Sequence, residues 1–158
     1  MNHDDITELL NITLDNTEAE INKNAISAIA DTSRNFPQPV QLLGYHSFRV
    51  DDNDVIDVDD VDKARQFIIE NIRGQEFRRL LNEMSINEAV VLREAAKAHK
   101  TTFNIGFVLS RTSLTETIIV EVIASLKEKR VIETTYNEAY AFVDPFFKYF
   151  VRWDSGFR

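Results

Sequence analysis

The chain has no cysteine, only four glycines and three prolines, and no long apolar run. Without cysteine there can be no disulfide and no thiolate metal site, which agrees with a reducing compartment. The glycines Gly44, Gly74, Gly106 and Gly156 form no phosphate-binding loop, and the pattern G-x-x-x-x-G-K-[ST] occurs nowhere. No segment approaches the roughly 20 consecutive apolar residues of a membrane helix. The acidic start, Met1 to Asp5, leads into no apolar stretch of signal-peptide length. The expectation is a cytoplasmic protein that does not enter membranes.

Catalytic constellations are missing as well. His3, His46 and His99 are isolated, with no H-E-x-x-H spacing, and no serine sits in a G-x-S-x-G elbow. The sequence therefore offers no catalytic residue, no metal ligand set and no cofactor site of its own, and independent enzymatic activity is not expected. Positive charge is scarce: 18 basic against 26 acidic side chains give a net charge of −8. Residues 1 to 73 carry 15 acidic and 6 basic side chains, residues 74 to 158 carry 11 and 12. If either half meets nucleic acid it is the second, yet even that half is near neutral, short of the basic footprint of a strong DNA binder.

What is present is 158 residues, 44% of them hydrophobic, enough for one substantial core or two small ones. Ile6, Leu9, Leu10 and Leu14 have helical spacing and predict a helix over Asp4 to Leu14. Ile21, Ala25, Ile26, Ala28 and Ile29 predict a second helix over Glu18 to Thr32. It should end near Arg34 and Asn35, because asparagine tolerates a left-handed conformation and Pro37 and Pro39 oppose continuation. A third helix is expected over Gln38 to Val50. Asp51 to Asp62 holds seven aspartates, but no register matches a calcium loop with its central glycine and closing glutamate. The reading is a solvated turn over Asp51 to Asp54, with Asp57 capping a helix whose apolar face is Val61, Ala64, Ile68 and Ile72.

From Gly74 the pattern changes. A connecting helix is expected over Gln75 to Glu83. Ser85 and Glu88 have capping-box spacing ahead of a helix over Ile86 to His99, and Ser113 and Glu116 repeat that spacing ahead of a helix over Leu114 to Lys129. A shorter segment, Phe103 to Ser110, lies between them. Two strands, Val131 to Thr135 and Ala139 to Val143, can pair across Tyr136, Asn137 and Glu138. Asp144 as cap and Pro145 in the first turn then start an aromatic helix. The fold class is mainly α with a small β-hairpin. A helical subdomain over 1 to 73 precedes a winged helix-turn-helix domain over 74 to 158.

The run from Tyr140 through V-D-P-F-F-K-Y-F-V-R-W resembles the end of the winged-helix domain in archaeal and bacterial AAA-type ATPases of the STAND-related class. There a strand ending in Asp-Pro-Phe-Phe precedes an aromatic helix. Ala25 to Gly44 is similar to the helix, Ser-x-Gly-x-Pro-like turn and helix of the lid that follows their nucleotide-binding core. Together the two matches cover nearly the whole chain. The resemblance implies a non-catalytic lid and winged-helix portion of such an ATPase. Its partner would be an ATPase core, and ATP would be bound only where that core is present. Asn35 stands where the family usually has glycine, and Arg34, Asn35 and Pro37 are the positions the resemblance sets beside nucleotide.

Two other functions remain open, a stand-alone winged-helix regulator of transcription and a protein-interaction or dimerisation module. For double-stranded DNA the candidate contacts are Arg111, Thr112, Ser113, Thr115 and Thr117 on and before the recognition helix, with Lys100. Glu116 and Glu121 oppose them, and the wing offers Asn137 and Glu138 but no arginine or lysine. The best basic grouping is Arg93, Lys97, Lys100 and Arg111, with Lys127, Lys129 and Arg130. Phe147, Tyr149, Phe150 and Trp153 are the candidate interface for a core or a second copy, weighed against simple core packing.

Overall fold

The computed structural model describes residues 1–157. The chain is mainly helical with small two-stranded sheets, and it divides into two compact units, Met1–Arg73 and Gly74–Arg158.

In the first unit, α1 (His3–Thr13) begins at Asn2, whose side chain accepts from the Asp5 amide while the Asp5 carboxylate accepts from the Asn2 amide. That reciprocal pair satisfies two of the donors a helix start leaves over. The expected second helix is shorter at its front. Glu20–Ile21 is a strand, β1, and α2 (Lys23–Ser33) starts only after Asn22, whose side chain caps the Ala25 amide. Ile21 has helical spacing to Ala25, but β1 pairs in parallel with β2 (Val55–Ile56), and that long-range ladder takes Glu20 and Ile21 out of the helix. The β-structure thus exceeds the single hairpin read from the sequence.

The long helix α3 (Pro37–Val50) is the hub of this unit, packing on α1, on α2 and on α4 (Val58–Phe67). Val40 and Leu43 are fully buried, each such side chain contributing about 1.5–3 kcal/mol by leaving water. Gly44 allows the closest approach: a Cβ there would stand 2.6 Å from Leu10 Cδ2. Asp57 caps α4 with a reciprocal box to Asp60. The apolar face of α4 then departs from its expected register. Ile68–Ile72 forms a π turn, closed by the Arg73 amide donating to the Ile68 carbonyl at 2.9 Å. The extra residue turns Ile69 inward and leaves Ile72 46% exposed.

The second unit opens with α5 (Gly74–Asn82), followed by α6 (Ile86–Ala96), α7 (Ile105–Leu109) and α8 (Glu116–Glu128). Ser85 caps α6 through the Glu88 amide. The expected box is only half made, because the Glu88 carboxylate is buried and receives Lys129 Nζ at 2.9 Å on both oxygens. Helix α6 stops at Ala96, short of His99, with Lys97 and Ala98 closing back on Glu94 and Ala95. The cap of α8 is Thr115, whose hydroxyl accepts from the Ile118 amide, so Ser113 and Leu114 lie outside the helix. Thr115 is equally able to cap, and a start at Glu116 puts Ile119, Val122, Ile123 and Leu126 on the buried side.

The antiparallel strands β3 (Ile132–Thr134) and β4 (Tyr140–Phe142) pair Ile132 with Phe142 and Thr134 with Tyr140. Their turn places Asn137 and Glu138 at φ of 58° and 57°, the left-handed pair that suits the twist of a tight hairpin. Phe103 bridges Tyr140, with amide-to-carbonyl bonds of 2.9 and 2.8 Å in the two directions. Helix α9 (Pro145–Asp154) is capped by Asp144 and packs on α6, α5 and β4.

Candidate functional surfaces

The turn between α2 and α3 is built by two consecutive left-handed residues, Arg34 at φ 52° and Asn35 at φ 62°. The Asn35 amide donates to the Ala30 carbonyl at 3.2 Å and the Phe36 amide to the Ser33 carbonyl at 3.1 Å. The Arg34 guanidinium lies 5.3 Å from the centre of the Phe36 ring. Asn35, Phe36 and Pro37 are exposed, and α3 starts with no side-chain cap. Its first turn has prolines at 37 and 39, so Gln38 supplies the only N–H among its first three residues. Helix starts usually offer several such donors to a phosphate. Here the backbone donors are few, and the side chains that could meet a ligand are the Phe36 ring, the Arg34 guanidinium, which suits an anion or a planar base, and the asparagine amide.

A second feature of this unit is an aromatic cluster on α3 and α4. The His46 ring meets Tyr45 edge-on, with centroids 5.0 Å apart, and lies tilted against Phe67 at 5.3 Å. Burial, and then the charge of Arg49, hold His46 below its ordinary pKa. Asp60, at the start of α4, is shifted upward, mainly because burial disfavours its charge.

Of the candidate DNA contacts in the second unit, Arg111 and Lys100 are the basic ones. The Arg111 guanidinium sits on the Phe107 ring at 4.5 Å from its centre. The Thr112 hydroxyl is buried with no hydrogen-bond partner, so it is not a surface contact. The Thr115 hydroxyl is committed to capping α8. Lys100, Ser113 and Thr117 are exposed. Lys97 pairs with Glu94 at 2.7 Å and Lys129 with Glu88. Beside α8 and the hairpin runs a cleft of about 630 Å³ lined by Asn104, Leu109, Glu116, Lys127, Glu138 and Tyr140, among others. Two carboxylates face one ammonium in it, the wrong balance for a polyphosphate backbone.

The aromatic helix divides sharply. Phe147 and Phe150 are 1% and 0% exposed and pack at a tilt against Phe77, with centroids 5.3 and 5.5 Å away. They are core residues, not an interface, because α9 turns that face onto α5 and the hairpin. Tyr149 and Trp153 are half-buried. Sequence reasoning missed Lys148 on the same helix. It is 8% exposed, and its Nζ donates to the carbonyls of Ala98 at 2.8 Å and Lys100 at 2.7 Å. It thereby holds the loop that follows α6. The only signal was a lone lysine in an aromatic helix, which reads equally well as a solvated position.

Among the described residues no group of His, Asp or Glu is placed to hold a metal ion, and no helix is long and apolar enough to cross a membrane.

No protein-family model matches the sequence, and no curated protein matches it. Among solved structures, a Walker-type ATPase of Pyrococcus abyssi has a similar fold, with a TM-score of 0.67 at 17% sequence identity. The match covers 96% of this chain and 42% of that one. The chain therefore spans less than half the length of the ATPase whose fold it shares.

Proposed function

We propose that this chain is a non-catalytic module of a Walker-type ATPase of the AAA or STAND-related kind. In this reading residues 1–73 form the helical lid and residues 74–158 a winged helix. The observation that carries it is the likeness to the Walker-type ATPase over 96% of this chain, joined to the absence of any phosphate-binding loop in the sequence. The phosphates, the magnesium and the hydrolytic water belong to the catalytic core. Arg34, Asn35 and Pro37 lie in the turn that would face nucleotide. With a single first-turn N–H at Gln38, a phosphate contact from that turn would fall to the Arg34 guanidinium and a base contact to the Phe36 ring.

The order α6, α7, α8, β3, β4 supports a winged helix with α8 in the recognition position and the hairpin as wing. Its electrostatics favour a protein contact over DNA. The exposed side of α8 carries Glu116, Glu121 and Glu128 against Lys127, and the wing tip carries Glu138. Duplex DNA would meet like charge at each of these glutamates. Movement of the lid with nucleotide state would thus be passed to a protein partner.

The test is the coding frame from which this chain is translated, read together with its neighbours. A G-x-x-x-x-G-K-[ST] loop in the same polypeptide, or in an obligate partner that co-purifies with it, is the expected result. A free-standing protein that shifts duplex DNA at physiological salt, and loses the shift on Arg111→Glu, would overturn the reading in favour of a regulator.

A further inference from the structure

The outer face of α8 has a pattern that the ATPase reading alone does not call for. At 3.6 residues per turn, Glu116, Val120, Ala124 and Lys127 fall on one strip, with Thr117, Glu121 and Glu128 beside it. All seven are exposed, and Val120, at the centre, is 47% exposed. Val120 and Ala124 make a narrow apolar seam, and the alanine leaves room for another backbone to come close. Three glutamates and one lysine border it. Glu116 and Lys127, on the same strip, also line the cleft where Leu109, 36% exposed, adds apolar surface and Glu138 adds a further carboxylate.

We propose that this face docks a basic amphipathic helix of a partner protein, its small apolar ridge on Val120 and Ala124 and its lysines or arginines against Glu116, Glu121, Glu128 and Glu138. Charge decides the occupant. Nucleic acid and anionic lipid carry the same sign as this border. A second copy docking through the same face brings the same excess of carboxylates, Glu116, Glu121, Glu128 and Glu138 against Lys127, and leaves most of them unpaired across the seam. A cationic helix satisfies both the seam and its border, in the helix-in-groove manner. The inference deepens the reading of the second unit as a contact module by naming the chemistry of its partner.

The experiment uses the full chain as bait for a displayed library of helical peptides randomised on one face. The expected binders carry small apolar residues at helical spacing flanked by lysine or arginine, and they weaken as salt is raised. Val120→Lys should reduce their affinity by about tenfold or more, the loss expected when an interface centre is disrupted. Glu116→Lys with Glu121→Lys should do the same while circular dichroism stays unchanged, since all three positions are exposed. No binders, acidic binders, or basic binders indifferent to both variants would each overturn the proposal. If such helices bind but no phosphate-loop protein ever accompanies the chain, this face stands and the ATPase reading falls. If an ATPase core is found and no basic helix binds here, the reverse holds.

Discussion

Replacing Lys148 by methionine separates its polar role from its volume. The side chain is 8% exposed, and its ammonium donates to two main-chain carbonyls, Ala98 and Lys100. Methionine fills much the same space and donates nothing. Hydrogen bonds to a charged group are worth about 1.5–3 kcal/mol each, and a buried acceptor left bare costs a similar amount. Lys100 is exposed, so water can take over at its carbonyl, while Ala98 is 6% exposed and cannot rehydrate as easily. Removing a buried ammonium also relieves its desolvation, which offsets part of the loss. The net cost is about 2 kcal/mol. With a urea slope of about 1–3 kcal/mol per molar, the midpoint should drop by about 1 M. Trp153 is the single tryptophan and lies against Phe150 in the second unit, so its fluorescence reports that unit directly. The held loop carries Phe103 into its bridge with Tyr140, so hydrogen exchange at those two amides should quicken in step. A midpoint unchanged or raised by Lys148→Met would refute the reasoning and show that desolvation outweighs the hydrogen bonds.

Gly44→Ala should destabilise the first unit by about 1 kcal/mol, an overpacking cost of about 2 kcal/mol against the buried Leu10 less the roughly 1 kcal/mol that alanine gains over glycine within a helix; thermal melts would measure it. Lys129→Met should cost about 1–2 kcal/mol by stranding the buried Glu88 carboxylate, discounted because Lys129 is itself 42% exposed. A double-mutant cycle with Glu88→Gln should return a favourable coupling, and additive losses would contradict the pairing. His46 has its pKa lowered in the folded chain, so the unfolded chain takes up the proton first as the solution is acidified. Stability should therefore fall as the pH drops from the ordinary histidine value of 6.5 towards the lower folded value, and His46→Gln should flatten that fall. Calorimetric titration of ATP with magnesium into the isolated chain should give no binding heat, and saturable micromolar binding would place a nucleotide site in these residues.

Much of the helical framework can be read from local chemistry. Asp57, Ser85, Asp144 and Pro145 each sit at the helix start their residue types imply, since a cap acts within three residues. The differences arise where distant residues decide. β1 exists because Val55 and Ile56 pair with Glu20 and Ile21 across the first unit, and helical spacing at Ile21 carries no trace of that. Glu88 left its capping box for a lysine 41 residues away. A single π turn rotated Ile72 out of the core. Ser113 was the expected cap of α8, and burial of the helix's apolar face sets the start two residues later, at Thr115.

The candidate sites follow the same division. The left-handed Asn35 was expected from its residue type, whereas Arg34 beside it adopts the same conformation with no local signal. The aromatic run of α9 was visible, but which rings are core depends on Phe77, some 70 residues earlier in the chain. The burial of the Thr112 hydroxyl and of Lys148 was not visible at all.

The central claim is that this chain works as part of a Walker-type ATPase. The most direct measurement is recovery of the native protein from its source cells with an antibody to this chain, followed by intact-mass determination and peptide sequencing. A phosphate-loop sequence is expected either in the same polypeptide, which would then exceed 18.2 kDa, or in a stoichiometric partner. An 18.2 kDa protein that carries no phosphate loop and has no phosphate-loop partner would contradict it.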